Sequence, residues 1–236
     1  DAYLKDDGTI WNEGDAAYTG RDPRMSATVV YHNFKWKDER INSDNSRTPI
    51  VQTIDITGNN SADKWSTSSN ATQSGYYTRK YFDPAHREDL KMHNNIIIMR
   101  YADVLLMYAE ACEADGTFNQ AVWDMTIRPI RERAGFTNPG ALDYPGASGE
   151  TMKEVIARER RCELAVEGLR YYDIMRMDAT QRSVALNKQA LGAKFAINNS
   201  QYILIATYKY NSRDRWWSLP QSELDLVPSL VNNSGY

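Results

Sequence analysis

NIIIMRYADVLLMYAEACEADG, residues Asn95 to Gly116, is the stretch whose reading decides the fold. Apolar residues recur at Ile98, Tyr101, Ala102, Leu105, Ala109 and Cys112. That is the i, i+3, i+4, i+7 spacing of one helix face. The stretch holds no proline and is rich in good helix formers, and Gly116 is a natural C-terminal stop. Leu106 and Tyr108 fall off the main stripe, so a second covered face is expected. A helix apolar on two sides belongs inside a helical assembly.

Working outward, a second helix is expected from Asn119 to Ala134, capped by Asn119, kinked near Arg128 by Pro129 and ended by Gly135. A helix pair joined by a short Gly-containing turn is the unit of tetratricopeptide-like arrays, which stack in numbers of about three or more. No second copy of the pair is legible. The chain opens on Asp1 in a polar loop, without an initiator Met or a signal peptide. The expectation is therefore a fragment or processed product whose further helices lie N-terminal to Asp1. The pair over 95–134 should then present an apolar face to them or to a second chain. A Pro/Gly loop, Asn138 to Gly149, precedes a third helix running to Glu167 and stopped by Gly168. One or two further helices are expected between Ala179 and Gly192, and strands at Tyr202–Tyr208 and Arg215–Leu219.

Residues 1–93 read differently. Gly, Asn, Ser, Asp and Thr crowd Asn42 to Gly75, and only Ala27–Tyr31 and Val51–Ile56 alternate like strands. The division expected is a loop-rich segment, 1–93, carrying candidate ligand loops, and a helical region, 94–236.

Several motifs resemble those of one family. RYADVLLMYAEA is similar to the central motif of the SusD/RagB family of bacterial outer-membrane nutrient-binding lipoproteins. GRDPRM at Gly20–Met25 resembles the family's Arg-Asp-Pro-Arg-Leu element, with Met25 in the Leu place, and YYTRKY at Tyr76–Tyr81 resembles a second element. ARERRCELAVEGLRYYDIMRM carries the most specific match, at Glu159, Arg160, Arg161, Glu163, Leu164, Glu167, Gly168, Arg170, Asp173 and Arg176. The tail matches at Pro220, Gln221, Glu223, Leu230, Asn233, Gly235 and Tyr236, with Val227 and Ser234 departing from the pattern. The resemblance implies a mainly α fold: a tetratricopeptide-like helical repeat body with loop-rich, short-strand insertions, a SusD-like α/α superhelix. It also implies an extracellular nutrient-binding protein that captures glycans and delivers them to a SusC-like TonB-dependent outer-membrane transporter. Its membrane attachment would be only a lipid anchor on the missing N-terminal part. Peptides are an alternative ligand within the family, and a non-catalytic protein-interaction scaffold is an alternative class.

Composition sets limits on function. The chain has 236 residues, 42% hydrophobic and 25% charged, with a net charge of −3, which suits a globular protein without a nucleic-acid footprint. No apolar run reaches the roughly 18 residues a membrane span requires. The 15 Tyr and 6 Trp outweigh 5 Phe, a tilt toward amphipathic rings that suits surfaces stacking on polar ligands. Cys112 and Cys162 lie on apolar helix faces and read as buried free thiols.

Catalytic signatures are missing: no G-x-S-x-G, no phosphate loop and no dinucleotide fingerprint occur. The reading is of a protein that is not an enzyme and takes no cofactor. Glu159, Glu163 and Glu167 share a helix face at i, i+4, i+8, which suggests metal, but no Glu-x-x-His accompanies them. An ion-pair network with Arg160, Arg161, Arg170, Arg176 or Arg100 is the expected reading. Asp6-Asp7-Gly8 and the Asn59–Asp63 run lack calcium-loop spacing and read as solvated turns. Trp123 reads as core, and Trp216 and Trp217 as packed. Trp11, Trp36 and Trp65 sit in polar, irregular sequence with no apolar stripe to bury them. An exposed Trp on a loop marks a binding surface unless it lies down on the protein body. The ligand platform expected on this ground is Trp36, Trp65 and Tyr31.

Overall fold

The computed structural model describes residues 2–42, 44–58, 61–66, 71–82, 94–195 and 200–236. His86, His93 and part of the Asn42–Gly75 loop, including Asn59 and Asn60 of the acidic run, lie outside them. The described chain is mainly helical with short antiparallel strand pairs. It forms two compact units, Asp1–Arg170 and Tyr171–Tyr236.

The first unit begins with α1 (Pro23–Thr28), where a strand was expected from Ala27. Asp22 caps it by accepting the Arg24 N–H, and Pro23 fits the first turn, where no amide donor is needed. Only β1 (Val29–Val30) is extended, and it pairs with β4 (Tyr77–Thr78) in the register Val30 opposite Tyr77. Between them, β2 (Lys35–Ile41) and β3 (Arg47–Thr53) form a ribbon.

The central helix α2 spans Tyr101–Ala114, shorter than the sequence predicts. Three consecutive β-branched isoleucines disfavour helix before it. Arg100 is extended (φ −142°, ψ 159°), its guanidinium drawn into ion pairs. At the other end Gly116 adopts φ 72°, and the Gly116 and Thr117 amides donate to Glu113 and Cys112 in a Schellman motif. The buried stripe is Asp103, Leu106, Ala109 and Cys112, rotated from the one predicted. Of the two residues expected on a second covered face, Leu106 is fully buried and Tyr108 is exposed, as are Tyr101, Val104 and Met107.

The second helix is two: α3 (Gln120–Met125) and α4 (Ile127–Ala134), broken at Thr126 rather than kinked at Arg128. Pro129 lacks the amide that would bond Met125, so it sits in the first turn of a new helix. Asn119 caps α3 and Gly135 (φ 104°) ends α4, as expected. A single turn, α5 (Pro139–Leu142), leads to α6 (Met152–Glu163), which starts with a Thr151–Glu154 capping box. α6 ends one turn before the predicted Glu167.

α2 packs on α3, α4 and α6, and α1 also packs on α6. Ala109, Trp123, Ile127, Val155 and Ile156 form one core, and Leu106, Ile130 and Leu164 a second. Trp123 is fully buried, its indole N–H donating to Leu142 O at 2.7 Å. Both cysteines are buried and free.

Three motifs meet the glutamates of α6 and Glu167 in the turn that follows it. Arg24 of the RDPR element bonds Glu159 at 2.8 Å and Asp22 at 2.7 Å. Arg131 of α4 closes on Glu159 at 2.6 Å. Arg100, just before α2, bonds Glu163 at 2.5 Å and Glu167 at 2.8 Å. Lys80 of the TRKY element bonds Glu167 at 2.6 Å, and Arg133 also reaches Glu163. The expected Arg100 pairing is present, but Arg24, Lys80, Arg131 and Arg133 supply the other partners. Arg160 instead bonds Asp103 of α2 at 3.0 Å, and Arg176 bonds Asp173. Burial alone would raise the Glu159 pKa, but Arg131 and Arg24 outweigh it and hold the carboxyl at about 2. The most specific motif therefore ties α1, β4, α2 and α4 to α6.

In the second unit most of α7 (Arg170–Arg176) is followed by α8 (Ala179–Leu186). An antiparallel hairpin of β5 (Gln189–Phe195) and β6 (Gln201–Thr207) follows. Arg182 is buried and donates to the Met175 and Met177 carbonyls at the end of α7. The strand expected at Arg215–Leu219 is not formed. Asn211 and Asp214 bond each other around a 3-10 turn, Ser212–Arg215. Trp216 and Trp217 are 59% and 78% exposed, not packed as predicted. After Pro220 comes α9 (Gln221–Leu226), where the tail resemblance places a short helix.

Candidate functional site

The antiparallel register of β1 and β4 decides where the aromatic residues of the first unit meet. Val30 pairs with Tyr77, so the next residues outward are Tyr31 and Tyr76. A third ring comes from the loop before α1. Tyr18 stacks on Tyr31 with ring centroids 4.0 Å apart and planes 3° from parallel. Its hydroxyl lies 3.4 Å from that of Tyr76. Phe34, buried, meets Tyr31 edge-on at 5.2 Å, and the Arg79 guanidinium covers Phe34. Burial, then the neighbouring Tyr18, raises the Tyr31 pKa, so its hydroxyl stays protonated and available as a donor.

The loop that presents Tyr18 is pinned by polar bonds. The Trp11 indole N–H donates to Ala16 O at 3.1 Å. Arg21 stacks over the Trp11 ring at 4.9 Å and donates to the Ala17, Tyr3 and Leu4 carbonyls. Trp11 is therefore a brace for this loop rather than an open ring.

The three residues chosen from sequence occupy three settings. Tyr31 sits in the tyrosine cluster. Trp36, in β2, packs against Phe82 at 4.8 Å. Trp65 is half-buried, and its indole N–H donates to Gln73 O at 3.0 Å, so its edge is engaged by the 72–76 turn. Sequence reasoning passed over Tyr18 and Tyr76. The usable signal for Tyr76 was the pairing of ATVVY with YYTRKY; nothing local marks Tyr18.

Asp7 at the candidate cation turn accepts from the Thr9 amide and hydroxyl, the bonding of a tight turn. Among the described residues no group of three or more His, Cys, Asp or Glu is placed to hold a metal. No helix among them is long and apolar enough to cross a membrane.

The fold defines a class: a mainly helical body with aromatic clusters on its loops. The comparisons place this one: the sequence matches the SusD family over residues 1–236, and the chain belongs to that family. It is 36% identical over 167 residues to SusD-like protein P2 of Formosa agariphila, covering 68% of this chain and 29% of that one. SusD-like protein P38 of the same organism is 38% identical over 85 residues, covering 35% and 17%. Among solved structures, a SusD-like carbohydrate binding protein from Bacteroides fragilis superposes with a TM-score of 0.72 at 27% identity, over 96% of this chain and 46% of that one. A second SusD-like protein from the same species shares the fold, with a TM-score of 0.68 at 23% identity, over 100% of this chain and 45% of that one. The chain thus spans less than half the length of each of these relatives.

Proposed function

We propose that this chain is part of a cell-surface glycan-binding protein that captures an oligosaccharide by ring stacking and delivers it to a SusC-like TonB-dependent transporter. The outer face of the outer membrane is its place, reached through a lipid anchor on a preceding segment. The helical region over 94–236 serves as a tetratricopeptide-like scaffold, and the segment over 1–93 carries Tyr31, Trp36 and Trp65 as the ligand platform. Its role is capture without catalysis and without a cofactor. The observation that carries the reading is family membership along the whole chain, joined to a fold shared with a carbohydrate binding protein. Half-buried tyrosine and tryptophan rings offer flat faces for the C–H surface of a sugar, and the Trp65 indole N–H is held by the Gln73 carbonyl.

The test is native electrophoresis through gels containing amylopectin, xyloglucan, arabinoxylan, pectin, laminarin or alginate. At least one should retard the protein. A ring that stacks on ligand contributes on the order of 1 kcal/mol or more, so Trp65→Ala should weaken retention about fivefold. Reducing-end release from the retarding polysaccharide would instead identify an enzyme.

A further inference from the structure

We propose that Lys80 is a positioning residue for the ligand platform: its ion pair with Glu167 fixes the Arg79–Phe82 turn, and Phe82 holds the Trp36 ring in the orientation that meets a sugar. The inference rests on the glycan-binding reading above and names what sets one ring of that platform.

The chain of contacts starts at Trp36. In the β2–β3 ladder Lys35 faces Thr53 and Lys37 faces Gln52, so two residues of β2 step past one of β3 and Trp36 lies on a bulge. A bulge re-aims the side chain it carries, and the regular pleat no longer dictates where the ring points. Phe82 supplies the ring contact that Trp36 makes among the described residues, with centroids 4.8 Å apart and planes tilted by 57°. Among those residues the Trp36 indole N–H has no hydrogen-bond partner. The half-buried ring is thus backed by Phe82 and keeps a donor for a sugar hydroxyl.

What places Phe82 is the turn before it. Its amide donates to Arg79 O at 2.9 Å, closing a four-residue turn with Tyr81 third at φ 70°. That place in a turn favours glycine or asparagine, and a tyrosine held there is strained and persists only where its surroundings enforce it. The Arg79 amide donates to Thr28 O at 2.8 Å and the Arg79 guanidinium to Ser26 O at 3.1 Å. Lys80 Nζ bonds Glu167 at 2.6 Å and donates to Glu163 O at 2.9 Å. Glu167 is itself fixed by Arg100 at 2.8 Å, and its side chain is 4% exposed. An anchor 87 residues away in sequence therefore holds a strained turn whose last residue backs Trp36. A ring set before the ligand arrives avoids the cost of ordering it on binding.

The experiment uses Lys80→Met, which removes the ion pair while Arg100 still neutralises Glu167. Its companion adds Tyr81→Gly, in which glycine takes φ 70° without strain. Trp36 emission is read as the difference between each protein and its Trp36→Phe form. Gel mobility against concentration of the retarding polysaccharide, and melting temperature, are followed beside it. Lys80→Met should shift the Trp36 emission and weaken retention about two- to tenfold, the cost of ordering one side chain on binding. The added Tyr81→Gly should return both toward the unaltered protein. A lower melting temperature with emission and retention unchanged would show a structural tie only and refute the positioning role, as would a loss that Tyr81→Gly does not restore. If Lys80→Met changes nothing while Trp36→Phe or Trp65→Ala loses retention, the positioning role is refuted and the glycan reading stands. If no polysaccharide retards the unaltered protein, the glycan reading falls, and the emission alone decides whether Lys80 positions Trp36.

Discussion

Replacing Glu159 with Gln tests what holds the first unit together. The carboxylate has no exposed surface and lies between two guanidiniums, Arg24 at 2.8 Å and Arg131 at 2.6 Å. Glutamine keeps the shape and removes the charge, leaving two buried cations facing a neutral amide. Breaking a buried pair in this way costs about 3–5 kcal/mol. The depressed pKa gives an independent figure. A carboxyl moved from 4.5 to about 2 is stabilised by about 3 kcal/mol, each step of one in pKa being worth ~1.4 kcal/mol. For a unit of this size 1 kcal/mol shifts the melting temperature by roughly 2–4 °C, so a fall of roughly 10 °C is expected. The assay is thermal and urea unfolding of Glu159→Gln beside Glu132→Gln. The latter touches only the exposed pair with Arg128 and should leave the transition unchanged. Replacing Glu159 and Arg131 together by apolar residues should recover much of the loss, because Arg24 keeps Asp22 and Glu163 as partners and no buried charge is then left uncompensated. A Glu159→Gln variant no less stable than the Glu132→Gln control would refute the view that this lattice ties the elements together.

The remaining expectations can be tested on the same protein. The stabilisation from Glu159 should be complete above about pH 4.5 and lost as pH falls toward about 2, because the folded pKa lies below the unfolded one. Glu167 is shifted in the same direction: burial raises it, but Arg100 and Lys80 outweigh that. Melting temperature against pH should therefore fall more gently for Glu159→Gln; parallel curves would contradict the assignment. Gly8→Ala should cost about 1–3 kcal/mol by urea midpoint, since Gly8 has φ 86° and a Cβ would sit 2.7 Å from the Ala141 Cα and the Gly140 oxygen. Cys162 is buried, which pushes its thiol up to about 12, so iodoacetamide at neutral pH should label it only after unfolding. Rapid labelling of the native protein would contradict that burial.

The helical body was legible because its signals are local. The apolar recurrence that includes Ala109 and Cys112, the Asn119 cap and the stops at Gly116 and Gly135 each act within one or two turns, although the buried stripe runs through Leu106 and not Leu105. Misjudged boundaries had non-local causes: Arg100 is held extended by carboxylates 63 and 67 residues away. The partners of Glu159 show the same limit, since Arg24 lies 135 residues off and only the fold brings it close. Among the site residues, Tyr31 was visible beside a strand, but Tyr18 acquires meaning only from its place on Tyr31. Trp216 and Trp217 resisted prediction because neighbouring apolar letters reveal nothing of what packs on them.

The central claim is that the protein captures glycan without cleaving it. A glycan array probed with the fluorescently labelled chain, with reducing ends assayed on every retained sugar, tests this most directly. The account predicts retention of at least one oligosaccharide, a weaker signal for Tyr31→Ala and no new reducing ends. An array with no retained glycan, or release of reducing ends from one that is retained, would contradict it.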